Sequence, residues 1–451
     1  MSAAPAPLRV AVLGSGPSGL YAAAELLKRD ATARVDLFDR LPTPGGLVRS
    51  GVSPDHAARR QVTSVYERII ASSGRFRFFG NVDVGRATTL DELGARYHAV
   101  VHATGAASDR RLGIPGDDLA GSHAATAFVG WYNGHPDFAD CSFDLSCERA
   151  VVIGNGNVAL DVARMLLLPH ERLRTTDVAD HALTALQASR VREVVILGRR
   201  GPAQAAFTLP ELLELGELPD LDLVIDGPAA LLADETPSSH PLRVRTLREF
   251  AARAPLGHAR RIVFRFLASP VAIEGEGRVA SLVVTRNELR RAGGGRLEAH
   301  AVGPEDRIAT GLVFRSIGYR PEPTTGVPFD AAAGVVPNAR GRVLDRTGGE
   351  PVRGQYVAGW LKRGPSGVIG TNKTCSQETV AALLEDAIAG RLPAPTASAD
   401  DFGATLAARG VVIVDYRGWK GIDRAERRAG EAQGRPRAKL TRLDALLEAA
   451  G

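Results

Sequence analysis

The sequence predicts an α/β fold with two doubly wound dinucleotide-binding domains, and three observations predict it. An apolar strand at residues 10–13 runs into Gly14, Gly16 and Gly19 and then into a helix. The same strand, glycine turn and helix restart at Gly154, Gly156 and Ala159, 140 residues later. The strands that close the two units end on opposite charges, Asp39 in the first and Arg199-Arg200 in the second. Each unit is Rossmann-like. Its first glycine permits the tight turn, its second lets backbone approach a pyrophosphate, and its third position lets helix and strand pack closely. The helix start offers unbonded N–H groups and a positive dipole end to phosphate.

The closing residues separate the two ligands. Asp39 stands 20 residues past Gly19, where a carboxylate accepts from ribose hydroxyls and repels a 2′-phosphate. Arginine does the reverse, because its planar fork matches phosphate oxygens. The first unit therefore suits FAD, and the second, with Asn155, Gly156, Asn157 and Val158 in its turn, suits NADP(H). Between them, residues 41–56 form a Gly/Pro-rich loop of the kind that lies over a ligand or on the surface, followed by a helix at 57–72. Strands are expected at 76–84 and 98–102, the latter ending on Ala103-Thr104-Gly105 at the cofactor edge. Residues 170–190 read as an added helical excursion, and 220–260 as a polar, poorly periodic stretch carrying Arg243, Arg245 and Arg248. Strands at 261–268, 281–285 and 312–316 read as a meander completing the second domain. The chain then returns to the first through a strand at 356–360, a glycine-rich loop at 362–372 and a helix at 376–389; the tail, 400–451, reads as one or two further helices. The expected domains are 1–105 and 331–451 for FAD, with 106–330 inserted for NADP.

Composition narrows the classes. Charged residues are 24% and hydrophobic residues 44% of 451, ordinary for a globular chain able to bury two or three cores. A net charge of +5 is mild, and with no nucleic-acid motif beside it does not argue for DNA or RNA. The three cysteines, Cys141, Cys147 and Cys375, form no C-x-x-C, so a redox dithiol and a cysteine-ligated metal are not expected. No signal peptide or membrane span is read, and a cytoplasmic enzyme is the expectation.

Several stretches are long and distinctive: GSGPSG, PTPGGLVRSGVSPDH, RFRFFGNVDVG, AFVGWYNG, VVIGNGNVALDVAR, VILGRRGPAQAAFT, RSIGYR and GWLKRGPSGVIGTNK. On these the chain resembles the adrenodoxin reductase-type ferredoxin–NADP+ reductases, over nearly its whole length. The resemblance implies two Rossmann-like domains in a glutathione-reductase-like three-layer architecture, a discontinuous FAD domain, and electron transfer from NADPH through flavin to a ferredoxin, with a cytochrome P450 as one onward acceptor. It implies a monomer. It places Ser18, Asp39, Leu47, Val84, Trp360, Gly367, Val368 and Ile369 at FAD. Asn155 to Val158, Arg199, Arg200 and Glu211 fall at NADP, and Gly367 at both. His56 and Glu214 match a pair near the flavin that tunes hydride transfer or acceptor approach.

Two departures stand against the family pattern. Gly45 replaces an aromatic residue in the loop that covers the flavin, and the basic residues Arg243, Arg245 and Arg248 are fewer than in the partner-docking patch of mitochondrial members. Hydride transfer needs no acid–base pair, in keeping with the lack of a nucleophile or metal constellation. The alternatives are another NADPH-dependent flavin oxidoreductase of the same fold and a dinucleotide-sensing binding protein.

Overall fold

The computed structural model describes residues 7–56, 74–227, 229–232, 240–253, 256–293, 297–367 and 369–451. The helix expected at 57–72 lies outside them. The chain divides into two compact units: Met1–Ser108, Asn133–Pro136 and Tyr319–Gly451 form one, Asp109–Tyr132 and Asp137–Gly318 the other. The return to the first unit comes at Tyr319, twelve residues before the expected 331, because the Tyr319 ring lies 5.1 Å from that of Trp360 and Val327 and Phe329 pack on Val336, Val343 and Leu361.

The first unit is built on a seven-stranded sheet in the order Asn338–Ala339, Arg342–Leu344, Pro351–Val357, Ala99–His102, Arg9–Leu13, Arg34–Phe38, Phe76–Phe79. The last five of these are parallel. Val10, Ala11, Val12 and Leu13 are all buried, as a strand covered by helices on both faces requires. The Pro17–Arg29 helix has Gly16 at its N-cap, Pro17 in its first turn and no capping side chain. The strand expected to run from 76 to 84 stops at Phe79. Gly80 bridges to Val414, and Asn81 turns left-handed at φ 60°, a geometry no strand accommodates. The late helix starts earlier than expected, at Ile369 rather than 376, and runs for 20 residues to Ile388. The tail forms three helices, Phe402–Ala408, Tyr416–Glu431 and Leu443–Ala450.

A buried ion network fastens that tail to the 41–56 loop. Glu426, fully buried, accepts from both Arg49 Nη atoms at 2.5 and 3.0 Å and from Arg437 Nη1 at 2.6 Å. The second Arg437 Nη reaches Asp423 at 2.6 Å. The Arg49 guanidinium also sits 5.4 Å over the Trp419 ring, and Lys439 Nζ donates to the Arg49 carbonyl. Burial alone would push the Glu426 carboxyl up, but the two guanidinium groups hold it below its ordinary value.

The second unit carries a six-stranded parallel sheet, ordered Ser122–Ala124, Leu312–Arg315, Arg149–Ile153, Glu193–Gly198, Arg260–Phe266, Leu221–Asp226. The expected meander is therefore divided. Arg260–Phe266 and Leu312–Arg315 are parallel strands of this sheet. The 281–285 strand extends to Arg291 and belongs to a separate antiparallel sheet with Ala268–Glu274 and Leu297–Ala309. Every residue of Leu312–Arg315 is buried, which selects the central position over an edge. The stretch read as poorly periodic contains the Leu221–Asp226 edge strand and the Pro241–Ala252 helix; one exposed edge weakens the apolar alternation that would have marked the strand. Helices His170–Leu173 and Asp180–Gln187 make up the excursion at 170–190.

Replacing Glu426 with Ala leaves Arg49 and Arg437 without their shared carboxylate, and the expected loss is about 3–5 kcal/mol of unfolding free energy in denaturant titrations. Arg427→Ala, which removes a largely exposed partner of Asp423, is expected to change stability by less than about 1 kcal/mol.

Candidate dinucleotide sites

In the first unit the candidate residues gather at the carboxyl ends of the parallel strands, where open α/β sheets bind ligands. Gly14 has φ 100°, and a Cβ there would stand 2.5 Å from the Ala103 carbonyl oxygen. Ala103-Thr104-Gly105 thus lies directly against the glycine turn, with Gly105 itself at φ 79° and open space around its missing side chain. A Cβ on Gly19 would meet the Gly14 carbonyl at 1.9 Å, whereas the nearest atom to one on Gly16 is 4.0 Å away. The outer glycines close the turn and Gly16 leaves room for a phosphate.

Asp39 is already engaged by the turn. One oxygen accepts from the Ser15 N–H at 2.8 Å and the Ser15 hydroxyl at 2.5 Å, the other from the Leu41 N–H at 2.9 Å. Burial pushes its carboxyl up against those three bonds. An ionised carboxylate has about four acceptor positions, so one remains for a ribose hydroxyl. Val82 N–H donates to the Asp39 carbonyl, which brings the turn carrying Val84 beside it. The loop holding Leu47 is seated on the same turn: Gly45 N–H donates to the Ser15 carbonyl, and a Cβ on Gly46 would lie 2.9 Å from Gly16 Cα. His56 ends this loop, its N–H bonded to the Ser53 carbonyl.

The downstream half arrives at Ser18. Gly359, at φ 74°, would place a Cβ 2.2 Å from the Ser18 hydroxyl oxygen. That hydroxyl donates to Asn372 at 3.1 Å, and Ser376 donates to the Ser18 carbonyl at 2.8 Å. Trp360 follows, its indole N–H buried and without an acceptor among the described residues. Gly367 has φ 82° beside Thr371, and Ile369 opens the long helix. Val368 lies outside the described residues.

The second unit repeats the turn. Gly154 has φ 116°, and a Cβ would meet the Ser316 carbonyl at 2.1 Å; around Gly156 there is nothing within 4 Å. Gly156 caps the Asn157–Leu167 helix without a capping side chain. The Asn155 carbonyl accepts from Ala206 and Phe207, Asn157 accepts from the Thr208 N–H at 2.8 Å, and Val158 packs on the core. Arg199 is exposed and Arg200 half-buried at the end of Glu193–Gly198. Glu211 is buried on the Leu209–Gly216 helix, 3.7 Å from Arg164, so its charge is answered within the protein. Glu214 is half-buried one turn on.

The comparisons with known proteins agree with this geometry. Residues 8–197 match the family model described as pyridine nucleotide-disulphide oxidoreductase. The chain is 49% identical to the NADPH-ferredoxin reductase FprA of Mycobacterium tuberculosis, over 98% of both chains. It is 41% identical to the mitochondrial NADPH:adrenodoxin oxidoreductase of Arabidopsis thaliana, over all of this chain and 96% of that one. The solved structure of M. tuberculosis FprA in complex with NADPH superposes with a TM-score of 0.93 at 48% identity, covering 98% of this chain and 99% of the other. The chain belongs to the adrenodoxin reductase-type ferredoxin–NADP+ reductases. All three cysteines are free, and Cys375 Sγ accepts from the Gly359 N–H.

FAD fits the first cradle. The buried Trp360 indole N–H lacks an acceptor among the described residues, the space beside Gly16 is open, and Asp39 retains acceptor capacity. The sequence reading missed Arg243. Far from being a solvated or docking residue, it is buried, and its Nη1 donates to the Phe207 carbonyl at 2.6 Å. On the same helix Arg245 pairs with Glu249, and Arg248 Nε donates to the Leu232 carbonyl. An arginine three residues past a helix cap gives no sequence signal of burial.

Gly359→Ala is expected to displace Ser18 and strain the backbone, and to lower the FAD retained per chain after purification at least several-fold. Gly390→Ala carries similar strain, with φ 67° but open space, and is expected to cost about 1–2 kcal/mol of stability with flavin content unchanged.

Proposed function

We propose that this protein is an FAD-dependent ferredoxin–NADP+ reductase that carries electrons from NADPH to a ferredoxin. The observation that carries the reading is the pair of glycine cradles at the ends of parallel strands in two sheets, one closed by an acid and the other by Arg199-Arg200. FAD, when bound, supplies acceptance of a hydride from the nicotinamide and release of single electrons.

The chain's own groups bind and orient. Gly16 and the free start of the Pro17–Arg29 helix receive the FAD pyrophosphate, and Asp39 receives the ribose of its adenosine. Val84, Leu47, Gly367 and the start of the Ile369–Ile388 helix border the rest of the cofactor. Trp360 donates its buried indole N–H to a cofactor acceptor atom. The start of the Ile369–Ile388 helix presents a positive dipole end, which favours negative charge developing nearby. In the second unit Asn155 to Val158 receive the NADP pyrophosphate, and Arg199 and Arg200 receive the 2′-phosphate. Glu211 borders the nucleotide while paired with Arg164. His56 and Glu214 tune transfer or acceptor approach, a role that rests on the family resemblance. By the same resemblance the enzyme is a monomer with a cytochrome P450 as one onward acceptor of its ferredoxin; the cytoplasmic placement rests on the sequence reading instead.

The test is direct. The purified protein is expected to show a flavin spectrum and to reduce cytochrome c with NADPH faster when ferredoxin is added. A colourless protein that rebinds no FAD would defeat the reading, and a flavoprotein that ferredoxin does not accelerate would point to another flavin oxidoreductase. Neutral substitutions of Arg199 and Arg200 are expected to raise the NADPH KM by about 1.5–3 kcal/mol per lost phosphate contact, with the NADH KM nearly unchanged. Equal effects on both nucleotides would sink the 2′-phosphate assignment.

A further inference from the structure

At the end of the Glu193–Gly198 strand the second unit has a cavity of about 380 Å³, lined by Arg200, Gln204, Ala206, His240 and Arg243 among others. Arg243 is the unexpected member. It is 8% exposed, donates from Nη1 to the Phe207 carbonyl, and has a buried Nε with no partner among the described residues. No carboxylate among those residues lies within ion-pair distance of it. Buried charges are ordinarily paired, because removing them from water is costly.

Its position deepens the imbalance. Arg243 sits in the first turn of Pro241–Ala252, a 12-residue helix with no acid in that turn and no capping side chain at His240. The positive end of the helix dipole disfavours a cation there. The guanidinium loses solvation with no carboxylate beside it among the described residues, and burial holds it below its ordinary value. A buried cation at the wrong end of a helix, facing a cavity that also receives Arg200, is a site arranged for an anion that the described residues do not supply.

We propose that Arg243 is a specificity-determining residue for the 2′-phosphate of NADP(H), acting from the floor of the cavity while Arg200 acts from its wall. Arg199, exposed on the strand end, completes the cluster from outside. The anion neutralises the buried guanidinium, so discrimination against the unphosphorylated nucleotide has two sources. NADPH gains a desolvated, charge-assisted contact, and NADH leaves Arg243 buried and unanswered. The proposal rests on the assignment of this end of the second cradle to the 2′-phosphate.

The test uses the full-length, FAD-loaded protein and two redox-inactive ligands that differ only at the 2′ position, 2′-phospho-ADP-ribose and ADP-ribose, titrated calorimetrically. Arg243→Met is expected to weaken the phosphorylated ligand by roughly 10-fold or more and to leave ADP-ribose within about two-fold. In turnover, the NADPH KM rises while kcat holds. Arg245→Met, on the same helix but exposed and paired with Glu249, leaves the ratio of affinities as in the unmodified protein. If Arg243→Met does not fold, Arg243→Lys decides: it retains the charge and loses the fork, and an intermediate fall in the ratio is expected. A ratio unchanged in the folded variant overturns the proposal and reduces Arg243 to a support for the Phe207 carbonyl. An unmodified protein that binds both ligands equally overturns the 2′-phosphate assignment itself, and the proposal with it.

Discussion

The first unit depends on the meeting of the opening helix with the late chain at Ser18. Gly359 closes on the Ser18 hydroxyl at a distance only glycine permits. Asn372 accepts from that hydroxyl, and Ser376 donates to the carbonyl of the same residue. The partners are more than 350 residues apart in sequence. Their junction is small, buried and made of side-chain oxygens and bare backbone. It fixes where the Gly359-Trp360 turn and the Ile369–Ile388 helix stand relative to the glycine turn. Without it the first cradle would be half a site.

Around this junction the protein treats its charges in two ways. In the flavin unit buried charge is compensated within the chain: Glu426 lies between Arg49 and Arg437, and Asp39 takes three hydrogen bonds from Ser15 and Leu41. Such networks hold a loop or a turn in one geometry, since breaking any member strands another in a low-dielectric setting. In the second unit Glu211 is likewise paired with Arg164. Arg243 is the departure: a buried cation with no carboxylate partner among the described residues.

The two glycine turns were legible because they are local. Strand, turn, helix and closing residue follow within about thirty residues, and each glycine answers a steric demand visible in the pattern. Asp39 against Arg199-Arg200 was legible for the same reason, being one position read on two similar frames. The strand expected at 76–84 was cut short by Asn81, a polar residue that tolerates the left-handed region and looks like any other in an alternating run. The edge strand Leu221–Asp226 went unseen because its outer side is open.

The sequence by itself determined the two glycine turns and their order, since short-range sterics decide those. Tertiary structure decided which segments complete them. It put Gly359 on Ser18, and it assigned Leu312–Arg315 to the central sheet and Ser281–Arg291 to an antiparallel one. It also turned Arg243 from a polar surface residue into a buried cation beside Arg200. Pairing across hundreds of residues and the burial of one arginine among several are set by what packs against them, and no spacing along the chain encodes that.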